Sequence, residues 1–159
     1  MPYYHWFYQG TYHANSNGTL PGPGATFGDT IKLAGRQLVY YPDTRTIKVD
    51  LEWDAGGWIS YYPLNLVDAK IFVHLYDQEG NIIVQSDQRP GNGALPPANW
   101  LPGILRDTFT LTIPGDLHAG KYRVAVGMYD PVTNVRLHVV GEGSDQDNRL
   151  FIGAIEIPN

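Results

Sequence analysis

Residues 70–87 read KIFVHLYDQEGNIIVQSD, and this stretch decides the fold. Two apolar runs flank the polar sequence Asp77-Gln78-Glu79-Gly80, an arrangement typical of a β-hairpin. Alternate residues of the first run share a face: one face has Ile71, Val73 and Leu75, and the other has Phe72, His74 and Tyr76. Both faces are largely apolar, which is typical of a central strand. We therefore predict that this hairpin forms the middle of an all-β sandwich, with the other segments pairing outward from it.

The rest of the chain repeats this pattern of short strands and turns. Between residues 47 and 53, four apolar side chains that end with Trp53 alternate with charged ones. Similar runs lie at 30–33, 36–41, 104–113, 122–129, 135–140 and 150–157, and no segment of ten or more residues has a helical period. This spacing predicts eight to ten strands in a two-sheet antiparallel β-sandwich, jelly-roll or immunoglobulin-like. As a large aromatic residue on an apolar stripe, Trp53 is predicted to lie in the core.

Composition and charge exclude several classes of protein. The 159 residues include no cysteine, so neither a disulfide framework nor a thiolate metal site is available. The net charge is −5 without a basic block, which disfavours nucleic-acid binding. No apolar run approaches the roughly 20 residues of a membrane span, and the first ten residues lack the features of a signal peptide.

The first 26 residues differ from the rest. We predict that residues 1–26 are an aromatic arm and linker, and that residues 27–159 are the β-sandwich domain. The arm is rich in aromatic side chains, namely Tyr3, Tyr4, Trp6, Phe7, Tyr8 and Tyr12, and its second half, NSNGTLPGPGAT, has the composition of turns and linkers. The arm would add an edge strand to its own domain, or it would dock on a neighbouring copy of the chain.

Several phrases along residues 27–157 occur in a familiar order. They include Phe27-Gly28-Asp29, Leu51-Glu52-Trp53, Phe72-Val73-His74-Leu75, Gln85-Ser86-Asp87, Gly120-Lys121-Tyr122-Arg123 and Val126-Gly127-Met128-Tyr129-Asp130. In these phrases the chain resembles the β-sandwich domain that follows the membrane-embedded part of bacterial glycosyltransferases of the dolichyl-phosphate-mannose type, a domain that also occurs free-standing. The resemblance implies a non-catalytic accessory domain, located extracellularly or at the cell surface, that recognises carbohydrate.

Loop aromatics are the first candidate binding site. Trp58, Tyr61 and Tyr62 lie in the loop 54–65 among glycine and polar residues, so their burial is not assured. Exposed aromatic rings stack on the apolar faces of sugars, while nearby polar groups bind the hydroxyls. The alternative is that these rings cap one end of the sandwich.

A second candidate is the acidic loop GEGSDQDN at residues 141–148. Asp145 and Asp147 could gather oxygen ligands for a calcium ion, with Asp29 contributing. The residue order does not fit an EF-hand loop, and a solvated turn is the default interpretation. No other cofactor is predicted.

The residues do not indicate catalysis. His74 lies between Phe72 and Tyr76 on one face of its strand, and no serine, cysteine or second histidine lies at motif spacing. We therefore interpret His74 as a hydrogen-bonded structural residue and predict that the protein is not an enzyme. The predicted function is a recognition module that binds glycan or a partner protein at the cell surface. The alternative is a structural subunit that assembles into a homo-oligomer by lending its amino-terminal arm to a neighbour.

Overall fold

The computed structural model describes residues 21–28, 31–54, 69–90 and 104–158, and these residues form nine strands and no helix. The strands are β1 (Pro21–Phe27), β2 (Ile31–Tyr41), β3 (Thr46–Asp54), β4 (Lys70–Tyr76), β5 (Ile82–Gln88), β6 (Ile104–Thr112), β7 (Gly120–Tyr129), β8 (Val139–Val140) and β9 (Leu150–Ile157). They make a five-stranded sheet in the order β6-β3-β2-β1-β8 and a four-stranded sheet in the order β5-β4-β7-β9. All strand pairs are antiparallel, so the predicted two-sheet sandwich is confirmed. A membrane-spanning helix is absent from the described part of the chain.

The predicted hairpin consists of β4 and β5. Its turn is held by Asp77, whose Oδ1 accepts hydrogen bonds from the backbone N–H groups of Glu79 at 2.9 Å and Asn81 at 2.8 Å. Gly80 has a φ of 85°, which glycine adopts without strain. The central position was predicted correctly for β4, which lies between β5 and β7, but it was wrong for β5. Among the described strands β5 lies at a sheet edge, where polar residues such as Ser86 can meet solvent.

Alternating residues from both sheets meet in one core. Trp53 is 0% exposed, as predicted, and its ring contacts the ring of Phe27 edge to face with centroids 5.2 Å apart. From β4, the core-facing residues Ile71, Val73 and Leu75 are also fully buried. Each such large side chain contributes roughly 1.5–3 kcal/mol through burial. The period-two pattern therefore specifies which face of each strand points inward.

The prediction of two strands at 30–33 and 36–41 was wrong. Residues Ile31–Tyr41 form the single strand β2 along β3. The pairing places Leu33 opposite Trp53 and Gly35 opposite Glu52, so Ala34 is the extra residue of a β-bulge. Small residues at this point permit a local bend, which the sequence pattern could not distinguish from a turn.

Two strand boundaries also differ from the prediction. The sequence pattern predicts linker for residues 21–26, whereas Pro21–Phe27 forms β1 and pairs with β2 and β8. The predicted strand at 135–140 is paired as a strand only at Val139–Val140. Before that point, Arg136 makes an isolated bridge to Tyr129. The chain passes from the four-stranded to the five-stranded sheet over these few residues, which leaves no length for a longer ladder.

Candidate functional site

A row of aromatic side chains lies on the outer face of the four-stranded sheet. Phe72, His74 and Tyr76 follow each other along β4 and are only 1%, 6% and 3% exposed. The rings of Phe72 and His74 stack with centroids 4.5 Å apart, and the His74 and Tyr76 rings meet edge to face. These three side chains are therefore largely removed from water although they do not point into the core.

Small residues on β7 make room for this row. Gly127 lies opposite Phe72 and Ala125 lies opposite His74 in the β4–β7 ladder. A Cβ atom at position 127 would overlap the ring of Phe72, so the ring can take its place only beside glycine. Phe72 thus lies across the neighbouring strand and forms an apolar floor.

An open pocket of about 250 Å³ lies above this floor. Its lining combines one apolar ring with six side chains that can form hydrogen bonds: Phe72, His74, Gln85, Asp87, Tyr129, Asn134 and Arg136. These residues come from β4, β5, the end of β7 and the segment after β7. Strand pairing positions the first four, because Gln85 lies opposite His74 and Asp87 lies opposite Phe72.

Asp87 is the acidic centre of the pocket. Its Oδ2 accepts a hydrogen bond of 2.9 Å from the hydroxyl of Tyr129, and its Oδ1 lies 3.5 Å from Nε2 of His74. Nδ1 of His74 lies 3.0 Å from the hydroxyl oxygen of Tyr76. These contacts confirm the prediction that His74 is hydrogen-bonded, and its purely structural role stays a prediction.

The surroundings of Asp87 also change acid strengths. Burial by itself would raise the pKa of Asp87, but the interactions with His74 and Tyr129 outweigh burial and hold this pKa below its ordinary value. Burial, followed by the hydrogen bond to Asp87, raises the pKa of Tyr129 to about 12. The pocket therefore keeps an ionised carboxylate beside a phenol that remains protonated at neutral pH.

The turn after β7 supplies the opposite wall of the pocket. Oδ1 of Asp130 accepts a hydrogen bond from the N–H of Val132 at 2.9 Å, and the N–H of Asn134 donates to the Asp130 carbonyl at 2.7 Å. Asn134 has a φ of 61°, a left-handed conformation that asparagine tolerates better than most residues. The turn brings Asn134 and then Arg136 to the pocket.

Arg136 covers the floor of the pocket. Its guanidinium carbon lies 4.7 Å from the centroid of the Phe72 ring, within the range of a cation–π interaction. Its Nη1 donates a hydrogen bond of 2.9 Å to the backbone carbonyl of Asp147. A ring contact and a backbone hydrogen bond therefore hold this cation in position.

The candidate calcium loop is organised by an arginine. Oδ2 of Asp145 accepts hydrogen bonds from Nε and Nη2 of Arg149, at 2.9 and 2.6 Å, and Oδ2 of Asp147 lies 3.4 Å from the same Nη2. Burial would raise the pKa of Asp145, but the bonds from Arg149 lower it overall. A calcium ion bound by Asp145 would have to displace Arg149. Asp29 lies outside the described residues, and within them no group of three or more histidine, aspartate or glutamate side chains is placed to hold a metal.

The other candidates fall outside the part of the chain that the structure describes. These are the loop aromatics Trp58, Tyr61 and Tyr62 and the arm residues Tyr3, Tyr4, Trp6, Phe7, Tyr8 and Tyr12. Glycan binding by the loop and assembly through the arm therefore stay predictions. Sizing the full chain beside one that lacks residues 1–20 tests the assembly, since a monomer in both cases contradicts it.

Sequence reasoning missed the pocket because its walls come from separate segments. Asn134 and Arg136 lie far along the chain from β4 and β5, and no motif links them. One signal was present: a strand with two apolar faces that carries a histidine in the row facing away from the core. No protein-family model and no curated protein matches this chain.

Proposed function

We propose that this chain is a non-catalytic recognition module that binds glycan, with one sugar residue in the pocket on the outer face of the four-stranded sheet. The observation that carries the proposal is the composition of the pocket, in which six hydrogen-bonding side chains surround one aromatic floor. The resemblance to accessory domains of glycosyltransferases supports the same function and an extracellular or cell-surface location.

The chemistry of a sugar fits these residues. Each sugar hydroxyl can donate and accept hydrogen bonds, and the pocket offers acceptors on Asp87 and donors on Arg136, with both types on Gln85 and Asn134. The C–H groups of a sugar ring have an apolar character that suits contact with aromatic side chains such as Tyr129. At about 250 Å³ the pocket is smaller than the ~300–1,000 Å³ clefts that hold drug-sized ligands, so it suits a single sugar unit.

The site is also rigid in the way that recognition requires. His74 and Asp87 contact each other and are bonded to tyrosine hydroxyls, which fixes the direction of the remaining lone pairs. A fixed site loses little conformational entropy when it binds a ligand. These internal bonds favour recognition over proton transfer, because a general base must be able to reach its substrate.

Binding of the full chain to a glycan array, followed by calorimetry with the glycans that bind, tests the proposal. Gln85→Ala and Asn134→Ala remove exposed amides from the pocket and should each weaken binding about tenfold, the loss expected for roughly 1.4 kcal/mol of hydrogen bonding. Gln37→Ala removes an amide from the other sheet and should leave binding unchanged.

A fourth variant, Trp58→Ala, separates the pocket from the loop aromatics. If the pocket binds the glycan, Trp58→Ala retains affinity while Gln85→Ala loses it. The reverse pattern would move glycan binding to the loop. Absence of binding to every glycan on the array would contradict the proposed function.

A further inference from the structure

The two charged side chains of the pocket differ in how far their polar atoms are satisfied by neighbouring residues. Asp87 has a partner on each oxygen, the Tyr129 hydroxyl on Oδ2 and His74 near Oδ1. The partners of the Arg136 guanidinium among the described residues are, in contrast, the Asp147 carbonyl and the face of the Phe72 ring. Within the described residues, no carboxylate lies at ion-pair distance from Arg136. Arg136 therefore keeps guanidinium N–H groups that can donate to an anion of the ligand, whereas both oxygens of Asp87 already have partners.

Other arginines show that this chain can provide carboxylate partners. Arg149 pairs with Asp145 at 2.6 Å, and Arg106 pairs with Glu52 at 2.9 Å, although the side chain of Arg106 is 71% exposed. Arg136 is less exposed than Arg106, and it lies in a concave site rather than on an open strand. The guanidinium of Arg136 is held in the pocket by a ring and a backbone carbonyl. It can therefore bind an anionic group of the ligand.

We propose that the pocket selects an acidic sugar, a uronic or sialic acid, whose carboxylate binds the guanidinium of Arg136; this inference rests on the glycan-binding function proposed above. The planar guanidinium matches a planar carboxylate through paired N–H···O bonds. Nη2 and Nε of Arg136 have no hydrogen-bond partner among the described residues, so both can donate to the carboxylate. The amide of Asn134, on the same wall, can bind a neighbouring sugar hydroxyl.

The negative net charge of the chain means that a preference for acidic sugars must come from the pocket and not from the protein as a whole. With a net charge of −5, the protein as a whole repels an acidic polysaccharide, so non-specific electrostatic attraction is not expected. Binding of an acidic sugar must therefore depend on contacts inside the pocket. Salt should weaken this binding only modestly, because short-range pairs in a partly enclosed site are screened less than long-range ones.

The test is calorimetry on the full chain with matched acidic and neutral ligands: oligogalacturonate beside oligogalactose, and sialyllactose beside lactose. At least one acidic ligand should bind about tenfold more tightly than its neutral partner, a difference of about 1.4 kcal/mol. Arg136→Gln should abolish this preference, and Arg136→Lys should restore part of it.

Arg123→Gln is the matched control. Arg123 also lies over a phenylalanine ring on the same sheet, 3.9 Å from the centroid of Phe151, but it does not line the pocket. Its substitution removes the same charge and the same type of ring contact, and it should retain the preference for the acidic sugar. Loss of the preference in both variants would show a general charge effect and would overturn the assignment to Arg136.

The remaining outcomes separate the inference from the proposed function. Equal affinity for acidic and neutral sugars would overturn the acidic class and leave glycan binding in place, whereas no binding of either would remove the proposed function as well. Tighter binding of a sulfated galactan than of oligogalacturonate would overturn the assignment of a carboxylate and would show that Arg136 prefers a sulfate ester. If Arg136→Gln does not fold, amide chemical shifts of the parent protein decide the question: oligogalacturonate should shift the side-chain signals of Asn134 and Gln85.

Discussion

The outer faces of the two sheets follow the same strand geometry but differ in chemistry. On the five-stranded sheet, the outward residues of β3 are Lys48, Asp50 and Glu52, which meet polar partners across β6: Thr108 donates to Asp50 at 2.7 Å and Arg106 pairs with Glu52. On the four-stranded sheet, the outward residues of β4 are Phe72, His74 and Tyr76, and all three are buried.

This difference in chemistry follows from how much of each face meets solvent. A face of charged and threonine side chains is what solubility requires, and its ion pairs are open to solvent. A buried histidine on an outward row requires a covering layer and satisfied hydrogen bonds, which the tyrosines and Asp87 provide. Such an arrangement exceeds what solubility requires, and it accords with the binding site proposed on this face.

The largest expected effect comes from removing the aromatic floor. Phe72→Ala should lower the free energy of unfolding by about 3 kcal/mol, because it deletes a ring that is 1% exposed and leaves a cavity. Lys48→Ala, on the outer face of the other sheet, should change it by less than about 0.5 kcal/mol. Chemical denaturation of both variants makes the measurement. Similar losses in the two variants would contradict the contrast between the faces.

Gly127→Ala tests the packing of the floor from the opposite strand. The new Cβ would overlap the Phe72 ring, so the ring must move, and we expect a loss of about 1–3 kcal/mol together with weaker glycan binding. Gly115→Ala is the control, since its Cβ would meet nothing closer than an arginine nitrogen at 4.0 Å. A Gly127→Ala variant as stable as the parent would show that the ring does not depend on glycine.

Tyr129→Phe removes the hydroxyl that bonds Asp87, and it should cost about 1–2 kcal/mol near pH 7. Folding lowers the pKa of the Asp87 carboxyl. The ionised carboxylate therefore stabilises the folded protein fully at pH values above the pKa of the unfolded chain, about 3.9. This stabilisation disappears as the pH falls through the lower pKa of the folded protein. The difference between parent and variant should therefore shrink in acid.

Two measurements check this prediction. Thermal unfolding between pH 2 and pH 7 follows the difference in stability, and NMR titration of the Asp87 carboxyl should show a higher pKa in Tyr129→Phe than in the parent. An unchanged carboxyl pKa would mean that the hydroxyl does not stabilise the ionised form.

The smallest effect is expected on the five-stranded sheet. Arg106→Ala breaks the pair with Glu52, but an exposed cross-strand ion pair contributes less than about 1 kcal/mol. The loss should diminish further in 0.5 M salt, and glycan affinity should not change. Denaturation at two salt concentrations provides the measurement, and a loss above 2 kcal/mol would show that this outer face is more than a solvated surface.

Local pattern was sufficient for much of the fold and for one part of the site. Period-two alternation correctly placed Trp53 in the core and Lys48 on a solvated face, and His74 is hydrogen-bonded as predicted. The same reasoning read the Ala34 bulge as a break, because a bulge and a turn use the same small residues. It left a calcium site as the alternative to a solvated turn at Asp145, and it did not predict the contact with Arg149, which depends on the folded conformation of the loop.

The sequence by itself determined the all-β class, most of the strands and their inward faces, because these follow from the local alternation of apolar and polar residues. Only the tertiary structure decided that Gln85, Asp87, Asn134 and Arg136 would surround a single floor. Their proximity depends on strand pairing, on the room that Gly127 leaves for Phe72, and on the point at which the chain changes sheets. The local pattern does not specify these long-range contacts, since many different strand pairings would bury the same apolar residues.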